Sequence, residues 1–195
     1  MTKQSRIGIL NLYISLIVSC WAIWENIWKE VLQNVNLLDK IFSKPTEVLY
    51  APVPGKVLPL SQVPDTAIAN GLLGNGIAIE PVQGRICAPC DATVDMVFET
   101  GHAVSLIADF GAELLIHVGL ETVGLKGRHF RVCCQSGSRV KRGEVLIEFD
   151  LDAVKAEGLR TITPLLVHNS SSYGTFRTAV GKTVTCADVV IELRK

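Results

Sequence analysis

Net charge is the first thing missing from this chain: 19 Lys and Arg balance 19 Asp and Glu over 195 residues. Without a basic field there is no electrostatic hold on a phosphate backbone, so nucleic acid is not expected as a partner. Regular cysteine spacing is missing as well. The six cysteines (Cys20, Cys87, Cys90, Cys133, Cys134, Cys186) follow no disulfide framework, and the chain is long for a disulfide scaffold, so a reducing compartment is the simpler reading. Charge is also absent between Ile7 and Trp24, where 14 of 18 residues are apolar. That length sits at the lower edge of what spans a bilayer as a helix.

The flanks of this stretch, Lys3 and Arg6 before it and Glu25, Lys29 and Glu30 after it, suit a signal anchor, and Ile17-Val-Ser-Cys20 resembles a lipoprotein cleavage box. Export is disfavoured by the chemistry argued below, which needs the cytosol; a membrane tether or an upstream extension are the alternatives. Val31, Val35, Leu38 and Phe42 then recur at helical spacing and Pro45 ends the pattern. Residues 1–45 therefore read as an apolar and amphipathic helical extension, with membrane association possible through residues 7–43. Residues 46–195 read as the working domain, of the usual size of about 100–150 residues.

From Tyr50 onward the grammar changes to short Val- and Ile-rich runs separated by Gly, Pro, Asp and Asn, which predicts an all-β fold. Ala51-Pro-Val-Pro-Gly55-Lys-Val57 is echoed by Ala88-Pro-Cys-Asp-Ala92-Thr-Val94. Gly137, Val140 and Gly143 are echoed by Gly181, Val184 and Ala187. The expectation is an antiparallel barrel or sandwich of short strands with an internal pseudo-repeat, preceded by the helical segment. Ala92 and Ala187 fall where the pattern favours glycine, which predicts mild strain at those corners. Only Leu151–Glu157, after Asp150, reads as a helical turn or two.

Of four histidines, two are linked by the chain itself. The runs His102–Ala108 and Ala112–Val118 read as strands, and Asp109-Phe110-Gly111 between them suits a tight turn with glycine left-handed. If Ala108 faces Gly111, His102 lies directly opposite His117, with β-carbons roughly 4.5–5.5 Å apart. A slip of one residue would send the two rings to opposite faces. A neutral imidazole nitrogen is a good nucleophile toward phosphorus, and a second imidazole can steady the phosphoryl oxygens. Thr100 lies two residues from His102 on the same strand face, where its hydroxyl can fix a tautomer. On spacing alone an ordinary cross-strand pair is an equal reading. No metal site is intrinsic, since His102 and His117 offer half a tetrahedral set and a partner must complete it.

The residues around His117 decide between these readings. Gly111-Ala-Glu-Leu-Leu-Ile-His117-Val-Gly119-Leu-Glu-Thr-Val123 resembles the phosphorylation-site signature of glucose-type enzyme IIA of the bacterial phosphoenolpyruvate-dependent sugar phosphotransferase system. Val63-Pro-Asp, Gly76–Pro81, Phe98–Ala103, Leu125–Gly127, Phe130, Val140–Gly143, Glu148–Asp150 and Thr163–Asn169 extend the likeness across residues 49–195. The resemblance implies a cytoplasmic phosphocarrier that needs no cofactor, phosphorylated on His117, with His102 stabilising and Thr100 hydrogen-bonding. It implies phospho-HPr as donor and a cysteine of an enzyme IIB domain, within an enzyme IIB/IIC sugar transporter, as acceptor. An apolar rim is expected from Ile68, Leu72, Leu73, Val118 and Leu120, with Gly119 and Glu121 beside them. Glu121 stands where many relatives carry Asp. Leu37–Ser43 resembles the amphipathic leader some members use at membranes. The alternative is a regulatory module whose phosphorylation state controls permeases or kinases.

Other signals are weaker. Cys87-Ala-Pro-Cys90 has no βαβ context and reads as structural, and Cys133-Cys134 would point to opposite faces. His129 and His168 read as ordinary polar positions. A lipoyl or biotinyl carrier needs a modifiable lysine beside methionine, yet Met96 has no adjacent lysine. A LytM-type zinc peptidase wants a His-x-His pair, which His117-Val-Gly119 does not supply.

Overall fold

The computed structural model describes Lys29 and residues 45–195, of which Pro45–Lys195 forms one unit. The apolar run of residues 7–24, the expected amphipathic helix of residues 31–42 and Cys20 lie outside the described residues. Among the described residues, no helix is long and apolar enough to cross a membrane.

The described residues are dominated by short strands: β1 (Glu47–Tyr50), β2 (Gly55–Leu58), β3 (Asn75–Pro81), β4 (Arg85–Cys87), β5 (Ala92–Val97), β6 (Ala103–Ala108) and β7 (Glu113–His117). The chain continues with β8 (Phe130–Val132), β9 (Arg139–Val140), β10 (Val145–Phe149), β11 (Thr163–Val167), β12 (Thr175–Thr178), β13 (Thr183–Val184) and β14 (Val189–Arg194). Two short helices interrupt them, α1 (Thr66–Ala69) and α2 (Leu151–Ala156). The helix expected after Asp150 forms, capped by that carboxylate on the Ala153 N–H at 2.9 Å. Helix α1 was not expected: Asp65 nucleates it by accepting from the N–H groups of Ala67 and Ile68 at 2.9 and 3.0 Å. The capping signal was present in the sequence, but four residues are too few to show a helical period.

All pairings are antiparallel, in an eight-stranded sheet ordered β13-β2-β3-β11-β7-β6-β5-β9 and two three-stranded sheets ordered β1-β14-β12 and β4-β10-β8. The large sheet reads as a mirror about its β11-β7 centre, which is the pseudo-repeat in spatial form. The correspondence reaches single hydrogen bonds. Tyr50 N–H donates to the Pro89 carbonyl at 2.9 Å, and its counterpart Cys87 N–H donates to the Pro52 carbonyl at 2.7 Å. Gly181 N–H bonds the Val57 carbonyl at 2.9 Å, as Gly137 N–H bonds that of Val94 at 2.7 Å.

The strain expected at Ala92 and Ala187 is not found, because neither has a positive φ. Ala92 lies inside β5, opposite Ala108 on one side and Val140 on the other. Its counterpart Gly55 is glycine because of crowding: a β-carbon there would sit 2.0 Å from the Glu80 carbonyl oxygen.

Strand alternation then divides the apolar residues between two clusters. Ile77 and Ile79, Leu114 and Ile116, and Leu165 and Val167 point into the main core. The residues between them, Ala78, Leu115 and Leu166, point to the other face of the sheet. There Leu60, Val63, Ile68 and Leu120 cover them. Each such buried aliphatic side chain contributes on the order of 1.5–3 kcal/mol.

Candidate functional site

His117 ends β7 on the same face as Leu115, so strand alternation carries it out of the main core and beside the smaller cluster. The hairpin leading to it turns through Asp109-Phe110-Gly111. Ala108 N–H bonds the Ala112 carbonyl at 2.9 Å, Gly111 N–H bonds the Ala108 carbonyl at 2.8 Å, and Gly111 is left-handed at φ 92°. This is a three-residue loop ending in a left-handed glycine.

The expected pairing of Ala108 with Gly111 is therefore wrong by one residue. Ala103, not His102, lies opposite His117. The two rings nevertheless meet, with centroids 4.9 Å apart and planes at 77°. The reason is that His102 stands outside β6, just after the turn in which Gly101 N–H bonds the Phe98 carbonyl at 2.7 Å. The pleat dictates alternation only inside the ladder, so a residue at the turn is free to aim its ring across the neighbouring strand. The His102 carbonyl still accepts from Val118 N–H at 2.7 Å, which fastens the backbone at the junction.

Each ring is held by a different atom. His117 Nδ1 lies 2.7 Å from the carbonyl oxygen of Gly119. A carbonyl only accepts, so Nδ1 carries the proton and Nε2 is left with a lone pair. His102 Nδ1 is hydrogen-bonded to the hydroxyl of Thr100, and the edge of the ring meets Phe98 at a centroid distance of 5.6 Å. Burial lowers the pKa of His102, as does the neighbouring His117. Burial likewise lowers that of His117, opposed by the Gly119 carbonyl and the charge of Asp65. Both rings are therefore neutral near pH 7.

The loop after His117 is built to present that carbonyl. Gly119 is left-handed at φ 72°, and a β-carbon on it would lie 2.6 Å from Thr122 Cγ2 and 2.8 Å from the Arg160 carbonyl oxygen. Thr122 Oγ1 donates to the Val118 carbonyl at 2.6 Å, and Leu120 N–H donates to the Arg160 carbonyl at 2.8 Å. Glu121 is itself left-handed at φ 59°.

The expected rim divides. Ile68 and Leu120 are buried in the small cluster at 5% and 8% exposure, and Val118 belongs to the main core rather than to any rim. Leu72 and Leu73 are exposed, at 74% and 37%. Asp65, Phe98 and Thr122 touch or bias the site without having been singled out for it. Asp65 could have been found as a residue type that caps helices, whereas Phe98 and Thr122 carry no chemical signal of their own. His129 is half-buried and left-handed at φ 71°, and its Nε2 lies 3.4 Å from Glu157. Among the described residues, no group of three or more His, Cys, Asp or Glu side chains is placed to hold a metal ion.

Residues 47–173 match the family described as "phosphoenolpyruvate-dependent sugar phosphotransferase system, EIIA 1". A "PTS system beta-glucoside-specific EIIBCA component" of Dickeya chrysanthemi is 47% identical over 127 residues, 65% of this chain and 20% of the relative. The chain thus spans about a fifth of that curated relative's length. The solved structure of a glucose permease IIA from Mycoplasma capricolum superposes with a TM-score of 0.70 at 27% identity, covering 76% of this chain and 96% of that one. The family match runs through Thr100, His102, His117 and Gly119 alike, and this chain belongs to the EIIA 1 family of the phosphoenolpyruvate-dependent sugar phosphotransferase system.

Proposed function

We propose that the chain is a phosphocarrier that takes a phosphoryl group from phospho-HPr onto His117 Nε2 and yields it to a cysteine of an enzyme IIB domain. The observation that carries this reading is the ring pair itself: His117 with its Nδ1 proton tied to Gly119 and its Nε2 lone pair free, 4.9 Å from a second neutral imidazole.

In the accepting step the lone pair of Nε2 bonds phosphorus as the nitrogen–phosphorus bond of the donor breaks, and the donor nitrogen keeps the electron pair. No proton must leave His117, because its only ring proton stays on Nδ1. Thr100 donates to His102 Nδ1, which keeps the His102 proton on Nε2 as a donor to the phosphoryl oxygens. In the second step a thiolate of the acceptor attacks phosphorus and the His117 nitrogen leaves with its electrons. The name of the beta-glucoside relative, an EIIBCA component, supports enzyme IIB and IIC as the partners served. Those partners and phospho-HPr favour work at the cytoplasmic side of the membrane.

The test is incubation of the chain with phosphoenolpyruvate, enzyme I and HPr, followed by intact mass. One acid-labile phosphoryl group is expected on the native chain and none on His117→Gln. His102→Gln accepts but transfers poorly. An unlabelled native chain overturns the assignment.

A further inference from the structure

Three successive peptide groups follow the His117 ring, and each is pinned by a different part of the chain. In the first, the N–H of Val118 donates to the His102 carbonyl at 2.7 Å. In the second, the carbonyl of Val118 accepts from Thr122 Oγ1 at 2.6 Å. In the third, the N–H of Leu120 donates to the Arg160 carbonyl at 2.8 Å. The carbonyl of that third peptide belongs to Gly119 and is the one that accepts from His117 Nδ1 at 2.7 Å. The first and third pins are backbone groups. The second is a side chain, so it depends on which residue stands at position 122.

We propose that Thr122 is a positioning residue for His117: its side chain fixes the peptide before Gly119, so that the Gly119 carbonyl meets Nδ1 and the lone pair stays on Nε2. The consequence for phosphoryl acceptance rests on the phosphocarrier reading, whereas the effect on the ring does not. Gly119 is left-handed at φ 72°, and its two dihedrals form the joint between the second and third peptides. A joint without a β-carbon is the most permissive in the loop. If it turns, the carbonyl leaves Nδ1 and the imidazole is free to carry its proton on Nε2 instead, where no lone pair then remains for phosphorus.

Thr122 closes this joint in two ways. Its hydroxyl holds the Val118 carbonyl, and its methyl Cγ2 stands 2.6 Å from where a β-carbon on Gly119 would be, so it occupies the space beside the joint. Both groups hang on one stiff, branched β-carbon. Serine would supply only the hydroxyl and valine only the bulk. Burial strengthens the hold: Thr122 is 0% and Val118 1% exposed, so a carbonyl that loses this donor is poorly placed to find water. The left-handed turn at Glu121 and the 3-10 turn Thr122–Leu125 that follows it bring residue 122 back against residue 118.

Nitrogen NMR of the His117 ring reads the tautomer without any transfer partner. The native full chain at neutral pH is expected to show a protonated Nδ1 and a bare Nε2. Thr122→Val keeps the shape and loses the hydroxyl; its ring proton is expected to be shared between the two nitrogens. Its acceptance from saturating phospho-HPr is expected to be about 10-fold slower with KM unchanged. Thr122→Ser keeps the donor and is expected to restore the Nδ1–H form and most of the rate. A purely structural role lowers the Tm of Thr122→Val but leaves its ring spectrum native, and that result overturns the proposal, as does a serine variant that behaves like valine. The native chain gives a check that needs no variant to fold: the buried Thr122 hydroxyl proton is expected as a slowly exchanging resonance, and rapid exchange overturns the proposal too. A native chain that phospho-HPr does not label, while the ring spectra behave as expected, removes the phosphocarrier reading and leaves the positioning role standing.

Discussion

The Nδ1–H of His117 donates to the carbonyl oxygen of Gly119, two residues further along the chain, at 2.7 Å. This single bond fixes the tautomer of the ring, and it exists only because the backbone at residue 119 turns left-handed between Thr122 and Arg160. Which ring nitrogen of His117 keeps the free lone pair is therefore decided by the conformation of a neighbouring peptide.

Gly119→Ala is expected to destabilise the chain by about 1–3 kcal/mol, since the new methyl meets both Thr122 and the Arg160 carbonyl at a left-handed position. Phosphoryl acceptance by His117 should fall as well. Gly124→Ala is the control, having nothing within 4 Å of the added carbon and no positive φ, and should change stability by less than about 0.5 kcal/mol. Urea midpoints and labelling rates of the two variants give the comparison, and equal values for both would refute the argument.

Thr100 acts on His102 through its hydroxyl. Thr100→Val removes that group at nearly constant shape and is expected to slow transfer from the phosphorylated chain about 5–10-fold, the equivalent of one hydrogen bond. Thr100→Ser should restore most of the rate. Quenched-flow transfer to an enzyme IIB domain measures it; an unaltered rate in Thr100→Val rules out a tautomer-setting role.

Both histidines titrate below their ordinary value of 6.5 in the folded chain. The unfolded chain therefore binds more protons as pH falls beneath 6.5, and stability drops from that point until the folded rings are protonated too. Above 6.5 the pair contributes no pH dependence. His102→Gln should flatten the decline below pH 6.5. Imidazole Cε1 proton shifts followed by NMR report the midpoints directly, and a midpoint at or above 6.5 for either ring contradicts the burial argument.

Asp65 has two roles that substitution can separate. Asp65→Ala removes the cap of α1 and should cost about 1 kcal/mol, whereas Asp65→Asn keeps an acceptor for Ala67 and Ile68 and should cost less. Both variants remove the charge that favours protonated His117, so the His117 midpoint should move further down in each. Thermal melts and the same NMR titration test the two effects, and a rise of that midpoint would exclude an electrostatic link.

Local chemistry was legible wherever a few adjacent residues determine the outcome. The Ala-Pro echoes mark two matched corners, the alternation in Glu113–His117 sends Leu114 and Ile116 inward, and Asp109-Phe110-Gly111 announces a turn. The same three residues do not say whether the loop contains two residues or three, because a left-handed glycine suits either. That ambiguity is the one-residue error in register. Helix α1 was lost for a different reason: its cap is visible but its length is less than two helical turns.

What the sequence determined by itself was the class of fold, its internal repeat, and the identity of the two histidines, since strand alternation, turn residues and a dense motif are properties of short stretches of chain. Only the tertiary structure decided that His102 leaves the pleat to reach His117 and that Gly119 must be bare because Arg160 passes beside it. These contacts depend on how distant segments close upon one another. Closure is set by hydrophobic burial over the whole sheet, a sum that no local pattern contains.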